Sequence, residues 1–128
     1  DTDIVQDEDG VYHVFFKTEG EQKKGIRQYL TRDLHDSSQW ELLPGTFEDT
    51  DKAVEGSGVF QRIEGDWVLM YDCYMNGHYQ FCTSQDLKSF KRVQDTATQG
   101  KFTPRHGTVI AITKKELKRL EKAFPNDK

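Results

Sequence analysis

Short apolar runs rich in β-branched and aromatic residues, broken by glycine-marked polar turns, fill most of the chain. The clearest is the stretch VEGSGVFQRIEGDWVLMY from Val54 to Tyr71. It sets a Glu-Gly pair at the mouth of one strand, a turn at Glu64-Gly65, and then a second strand. The same pattern reads upstream as a strand over 3–6, a turn at Asp7-Glu8-Asp9-Gly10, and a strand over 11–17 with the sequence VYHVFFK. A polar loop then leads to 25–31, where Ile26, Gln28 and Leu30 alternate against Arg27 and Tyr29, the period of a strand with one buried face. Asp33 can close a side-chain turn on its own backbone, and Trp40 opens a fourth short strand. The second unit repeats this over 57–63, 66–73 and 77–84. There Ser84-Gln85-Asp86-Leu87 answers Thr31-Arg32-Asp33-Leu34, and Phe90 answers Trp40.

The repeat has a period. Asp1, Glu55 and His106 head successive units 54 and 51 residues apart, Gly10 and Gly65 are 55 apart, and Asp33 and Asp86 are 53 apart. Four short strands recurring at roughly 50 residues are the signature of propeller blades, because one blade cannot bury both its faces and must stack on a neighbour. A third unit begins at His106 with HGTVIAIT and one strand. Helical periodicity then takes over, with Thr113 and Glu116 as a capping box, Leu117, Leu120 and Phe124 as one stripe, and Pro125 as the stop. The fold class expected is therefore all-β, a segment of a β-propeller. It has two four-stranded blades over 1–50 and 51–100, then a closing strand and a short terminal helix over 101–128. Propellers close with about four to eight blades, so the remaining blades are expected from the rest of a larger protein or from a second chain.

Composition narrows the class without changing it. A chain of 128 residues, 34% hydrophobic and 31% charged, suits one modest domain, and its net charge of −4 leaves no electrostatic footprint for nucleic acid. No apolar run is long enough for a membrane helix. Cys73 and Cys82 sit on neighbouring strands, but the turn at Met75-Asn76-Gly77 pairs Cys73 with a residue near His78 and Cys82 with one near Leu69. They are out of register for a bridge and read as free thiols. The opening at Asp1, without an initiating Met or a signal peptide, reads as a processed or excised piece.

Residues at the head of each innermost strand converge on the propeller axis, which brings Asp1, Glu55 and His106 to one central pocket. Facing carboxylates in such a pocket are the usual equipment for cleaving a glycosidic bond, one as proton donor and another as base or as tuner of its neighbour's pKa. Asp3, two residues on and on the same strand face as Asp1, is the reserve candidate. Trp40, Phe47 and Trp67 are candidates to stack on sugar rings, against the more frequent role of aromatics as inter-blade core. Arg105 is a candidate to hold a carboxylate or a hydroxyl. His13, His35 and His78 stand at no ligand spacing and read as structural.

DTDIVQDEDG, VEGSGVFQRIEGDWVLMY, the two T/S-x-D-L turns and PRHGTVI together resemble the family 43 glycoside hydrolases and their five-bladed propeller relatives, over nearly the whole chain. The resemblance implies a five-bladed ring of which these are later blades, with Glu55 as general acid although Ser57 stands where the family often has Pro. It implies Asp1 as the residue that tunes the acid, and His106 near a bound calcium or sodium ion reached partly through water. The family's general base, an Asp of the first blade, has no counterpart here. What is implied is inverting cleavage of arabinose, xylose or galactose units in plant polysaccharides, with no cofactor required for the chemistry. A secreted or periplasmic setting follows from the resemblance alone. The alternatives are a propeller that binds carbohydrate without cutting it, and an interaction scaffold of the kelch or WD-repeat kind, for which the Gly-His and Trp-Asp signatures of WD repeats are missing.

Overall fold

The structure is a computed structural model and describes residues 2–20, 24–97 and 105–125. It is mostly β. Strands β1 (Thr2–Gln6), β2 (Tyr12–Lys17), β3 (Ile26–Thr31) and β4 (Glu41–Leu42) form one antiparallel sheet in sequence order. Strands β5 (Glu55–Gln61), β6 (Trp67–Cys73), β7 (His78–Ser84) and β8 (Lys91–Ala97) form the second in the same order. The four-strand units expected from the periodicity are thus present as two meanders. No closed ring is formed among the described residues.

The turns repeat as closely as the strands. Asp33 N donates to Thr31 Oγ1 at 3.1 Å, and Asp86 N donates to Ser84 Oγ at 3.2 Å. Asp33 Oδ1 then accepts from His35 N at 2.8 Å, as Asp86 Oδ1 does from Lys88 N at 2.9 Å. These short polar side chains satisfy backbone groups that the turn takes out of the ladder. Leu69 pairs with Cys82 and Cys73 with His78, so the cysteines are separated by the register itself and both are buried and free.

The two sheets pack through a core of Phe15, Ile26, Phe47, Val54, Val59, Leu69, Tyr71, Cys73, Cys82 and Leu87. Phe15 lies edge-on to both Phe47 and Phe90, with centroids 6.2 and 5.9 Å apart, the geometry that aligns positive ring edges with negative faces. Phe47 is therefore part of this core, which is a correction to its candidacy as a sugar-binding ring. Trp40 and Phe90 each immediately precede the fourth strand of their sheet, but Trp40 packs on Tyr29 of its own sheet and its indole N–H donates to Asp33 O at 3.1 Å. That is a second correction: Trp40 belongs to the outer edge of the first sheet and contacts neither Glu55 nor His106.

Polar bonds stitch the same interface. Asp3 Oδ2 accepts from Val59 N at 2.6 Å, joining β1 to β5. The buried His13 bridges Asp7 Oδ2 at 2.9 Å and Gln28 Oε1 at 2.6 Å, and Gln28 Nε2 donates to Leu87 O at 2.8 Å across the sheets. Leu87 holds φ at 60°, a conformation costly for a branched side chain, and the buried leucine together with this bond holds it there.

The terminal segment departs from expectation in one respect. Residues 107–112 form no strand, and Val109, Ile110 and Ile112 are exposed. The helix α1 (Lys114–Ala123) has the expected capping box between Thr113 and Glu116. Its stripe of Leu117, Leu120 and Phe124 is exposed. Replacing Gln28 by Leu should leave His13 and the Leu87 carbonyl without their buried partner and lower stability by about 1–3 kcal/mol, read as a shift of the urea midpoint.

Candidate active site

The antiparallel meander puts the head of β1, the end of β2, the head of β5 and the end of β6 at one rim. Lys17 ends β2, Glu55 opens β5, and Asp72 lies opposite Glu55 on β6. Arg105 and His106 reach the same place from the segment after β8. The register slips between Glu55 and Gly58, and such a bulge turns a side chain away from the regular alternation of its strand.

Glu55 is met by cations on both oxygens. Lys17 Nζ donates to Oε2 at 2.6 Å, while Arg105 Nη2 and His106 Nε2 stand 3.4 and 3.3 Å from Oε1. Asp72 Oδ2 accepts from Arg105 Nε at 2.7 Å, and His106 Nε2 lies 3.9 Å from the same oxygen. The Asp72 side chain is 2% exposed and that of Arg105 57%, so a buried carboxylate is answered by a cation standing at the mouth. Lys17 also lies 3.7 Å from Glu19 and 4.9 Å from the centroid of the Tyr74 ring. The Tyr79 hydroxyl accepts from His106 N.

The protonation state follows from these contacts. The hydrogen bond from Lys17 holds the Glu55 carboxyl below its ordinary value of 4.5, burial opposes that shift, and His106 adds to it. Lys17 is raised in turn, chiefly by its bond to Glu55. Arg105 is raised by Asp72. Glu55 is thus an ionised carboxylate in this arrangement.

Two backbone features fix His106 against Glu55. Gly56 has φ 63°, and a Cβ there would lie 2.5 Å from His106 Cδ2, so only glycine lets the imidazole approach this closely. His106 itself has φ 68°.

Of the residues expected from the sequence, Glu55, Arg105 and His106 meet here. Asp1 lies outside the described residues. Asp3 is turned to the Val59 amide and serves the junction between the sheets. Trp40 and Phe47 lie elsewhere, as described above, and Trp67 stands at the other end of the sheets. Lys17, Asp72 and Tyr79 went unread in the sequence. Asp72 carried a signal, since an ionisable residue inside WVLMYDCYM is buried, and a buried charge needs a partner. Lys17 carried none.

The calcium or sodium ion implied by resemblance can be tested against these side chains. Glu55, Asp72 and His106 offer ligand atoms that all lie within 4.8 Å of one another. Their charge is already met by Lys17 and Arg105, each within 2.7 Å of a carboxylate oxygen. As arranged, this set does not fit a cation, and no step below runs through one.

A family model described as a probable glycosyl hydrolase domain, of the group related to glycoside hydrolase family 43, matches residues 1–118. The chain belongs to this family. Among curated proteins none matches it. The match places the pocket within a glycosyl hydrolase-like domain, and the family span takes in both sheets and all five pocket residues.

Gly56→Ala should separate His106 from Glu55, seen as a changed imidazole environment by NMR, and should cost about 1–2 kcal/mol for the left-handed backbone before any clash is counted. Lys17→Met should cost about 1–3 kcal/mol near neutrality, because Glu55 keeps its charge and loses its main donor. A depressed carboxyl contributes stability that is present above the ordinary 4.5 and is lost as pH falls through the lower folded value. The gap between wild type and Lys17→Met should therefore close on acidification, measured as urea midpoints across that range.

Proposed function

We propose that this chain is part of a five-bladed β-propeller glycoside hydrolase and that Glu55 is its general acid, as the family resemblance implies. One observation carries the reading: in a glycosyl hydrolase family member, a carboxyl at the head of an innermost strand is gathered with Lys17, Arg105, Asp72 and His106 at one open rim. The substrate class is arabinose, xylose or galactose units in plant-type polysaccharides, and the partners are that saccharide and the blades that complete the ring.

The reaction is inverting. A carboxyl protonates the leaving oxygen while a base on the opposite face of the sugar activates water, the two being roughly 6.5–9.5 Å apart. The base comes from outside this chain, in the completing blades. Glu55 must carry a proton to act, and Lys17 holds it ionised at rest. The acid cycle therefore includes movement of the Lys17 ammonium off Oε2. Four single bonds in its stem permit that movement, and the exposed Arg105 remains to hold the sugar's hydroxyls or Asp72.

Glu55→Gln, in the protein that contains the full ring, should lower kcat on aryl glycosides with poor leaving groups by about 10²–10⁴-fold. Glycosides of acidic phenols, which leave without a proton, should be affected far less. Unchanged turnover on the poor leaving groups would overturn the assignment.

The second reading is a carbohydrate-binding propeller without catalysis, favoured by the pairing of Glu55 with Lys17, which leaves no proton to give. Sugar release by the wild-type protein eliminates it.

A further inference from the structure

A cleft lies at the rim opposite Glu55. Strands of six or seven residues separate the two rims by roughly 20 Å. The cleft, of about 570 Å³, opens between the two sheets where three turns meet, and its lining includes Asp9, Leu30, Gln61, Trp67, Gln85 and Asp86.

We propose that this cleft is a second saccharide-binding site, separate from the Glu55 pocket, with Trp67 as the ring on which a neutral sugar stacks. The proposal rests on the glycoside hydrolase reading for its ligand class and on the cleft's own chemistry for its place.

A sugar presents an apolar face of C–H groups and a rim of hydroxyls, so its sites pair an aromatic wall with several acceptors. Trp67 is half-buried, and its indole N–H has no hydrogen-bond partner among the described residues, which leaves a donor at the wall. Around it stand the exposed side chains of Asp9, Asp86, Gln61 and Gln85. Asp86 spends Oδ1 on Ser84, Lys88 and Ser89, and Gln61 spends its amide nitrogen on Gly65 O at 2.8 Å. Asp86 Oδ2 and Gln61 Oε1 are not used in those bonds, and both residues line the cleft.

The floor is preorganised. The chain from Asp7 through His13 and Gln28 to Leu87 O ties the first-sheet wall to the second-sheet wall, with His13 2% and Gln28 0% exposed. A cleft held open by buried bonds loses little entropy on binding.

The test uses the tryptophan emission of this 128-residue chain in a Trp40→Phe background, in which Trp67 is the one remaining indole, titrated with xylo- and arabino-oligosaccharides. The expected result is a saturable change in emission that Glu55→Gln leaves intact. Trp67→Ala, followed by calorimetry, should weaken oligosaccharide binding about tenfold, the effect of losing one stacking contact. Should Trp67→Ala fail to fold, the exposed pair Asp9→Ala with Gln85→Ala supplies the same reading, because both lie on the rim and outside the core. Aryl glycoside turnover is followed in parallel in the protein that contains the full ring, since it reports the Glu55 pocket alone. Unchanged emission with any sugar overturns the proposal, as does binding that the rim variants leave unaltered; persistence of turnover then leaves the glycosidase reading standing. An emission change with calcium chloride and none with sugar also overturns it, in favour of a cation at the acidic rim.

Discussion

A four-stranded meander with apolar residues on both faces cannot stand alone, and the packing of the second sheet on the first is the contact from which everything else follows. Phe15, Phe47 and Phe90 meet edge to face in that interface, and Asp3 bonds the Val59 amide across it. Burial of rings on this scale supplies the free energy, while the few polar bonds select the alignment, since a buried donor or acceptor left unmatched costs more than a matched one gains. Once β5 is seated on β1 and β2, the end of β2 has nowhere to go except beside the head of β5. Lys17 is delivered to Glu55 by packing.

The same seating makes two unlike ends. At one rim the strands deliver charged side chains, and the site is a balance of two carboxylates against Lys17, Arg105 and His106. At the other rim the turns deliver Asx-type caps, a tryptophan and a cleft. The first rim is electrostatically tense, because Asp72 is almost wholly buried and depends on a cation that stands mostly in water. A carboxyl in such company has its proton affinity set by its neighbours, Lys17 above all. The second rim is rigid by comparison, its walls tied by the buried link from His13 to the Leu87 carbonyl.

Family membership and geometry bear on different questions. The family match speaks for a glycosyl hydrolase-like domain over both sheets. The geometry speaks for which side chains share a pocket, and it adds a tension that the resemblance did not carry, since Lys17 holds the expected acid in its ionised form. The two meet in a single requirement: whatever Glu55 does, the Lys17 contact must be part of it.

Much was legible in the chain itself. Strand alternation, the D-G and T/S-x-D-L turns and the capping box at Thr113 are local, so a few neighbouring residues determine them and the sequence displays them directly. The repeat of about 50 residues also placed Glu55 and His106 together, because equal positions in equal units end at the same rim. What the sequence could not carry was any contact made between units. Phe47 in the core, Asp3 on the Val59 amide, Trp40 on the outer edge, Lys17 on Glu55 and Arg105 on Asp72 all depend on how one sheet sits on the other. The strand expected from His106 in HGTVIAIT is not formed over 107–112, and a strand exists only where another edge pairs with it. Local chemistry determined the elements, and tertiary packing alone decided which side chains became partners and which charges remained.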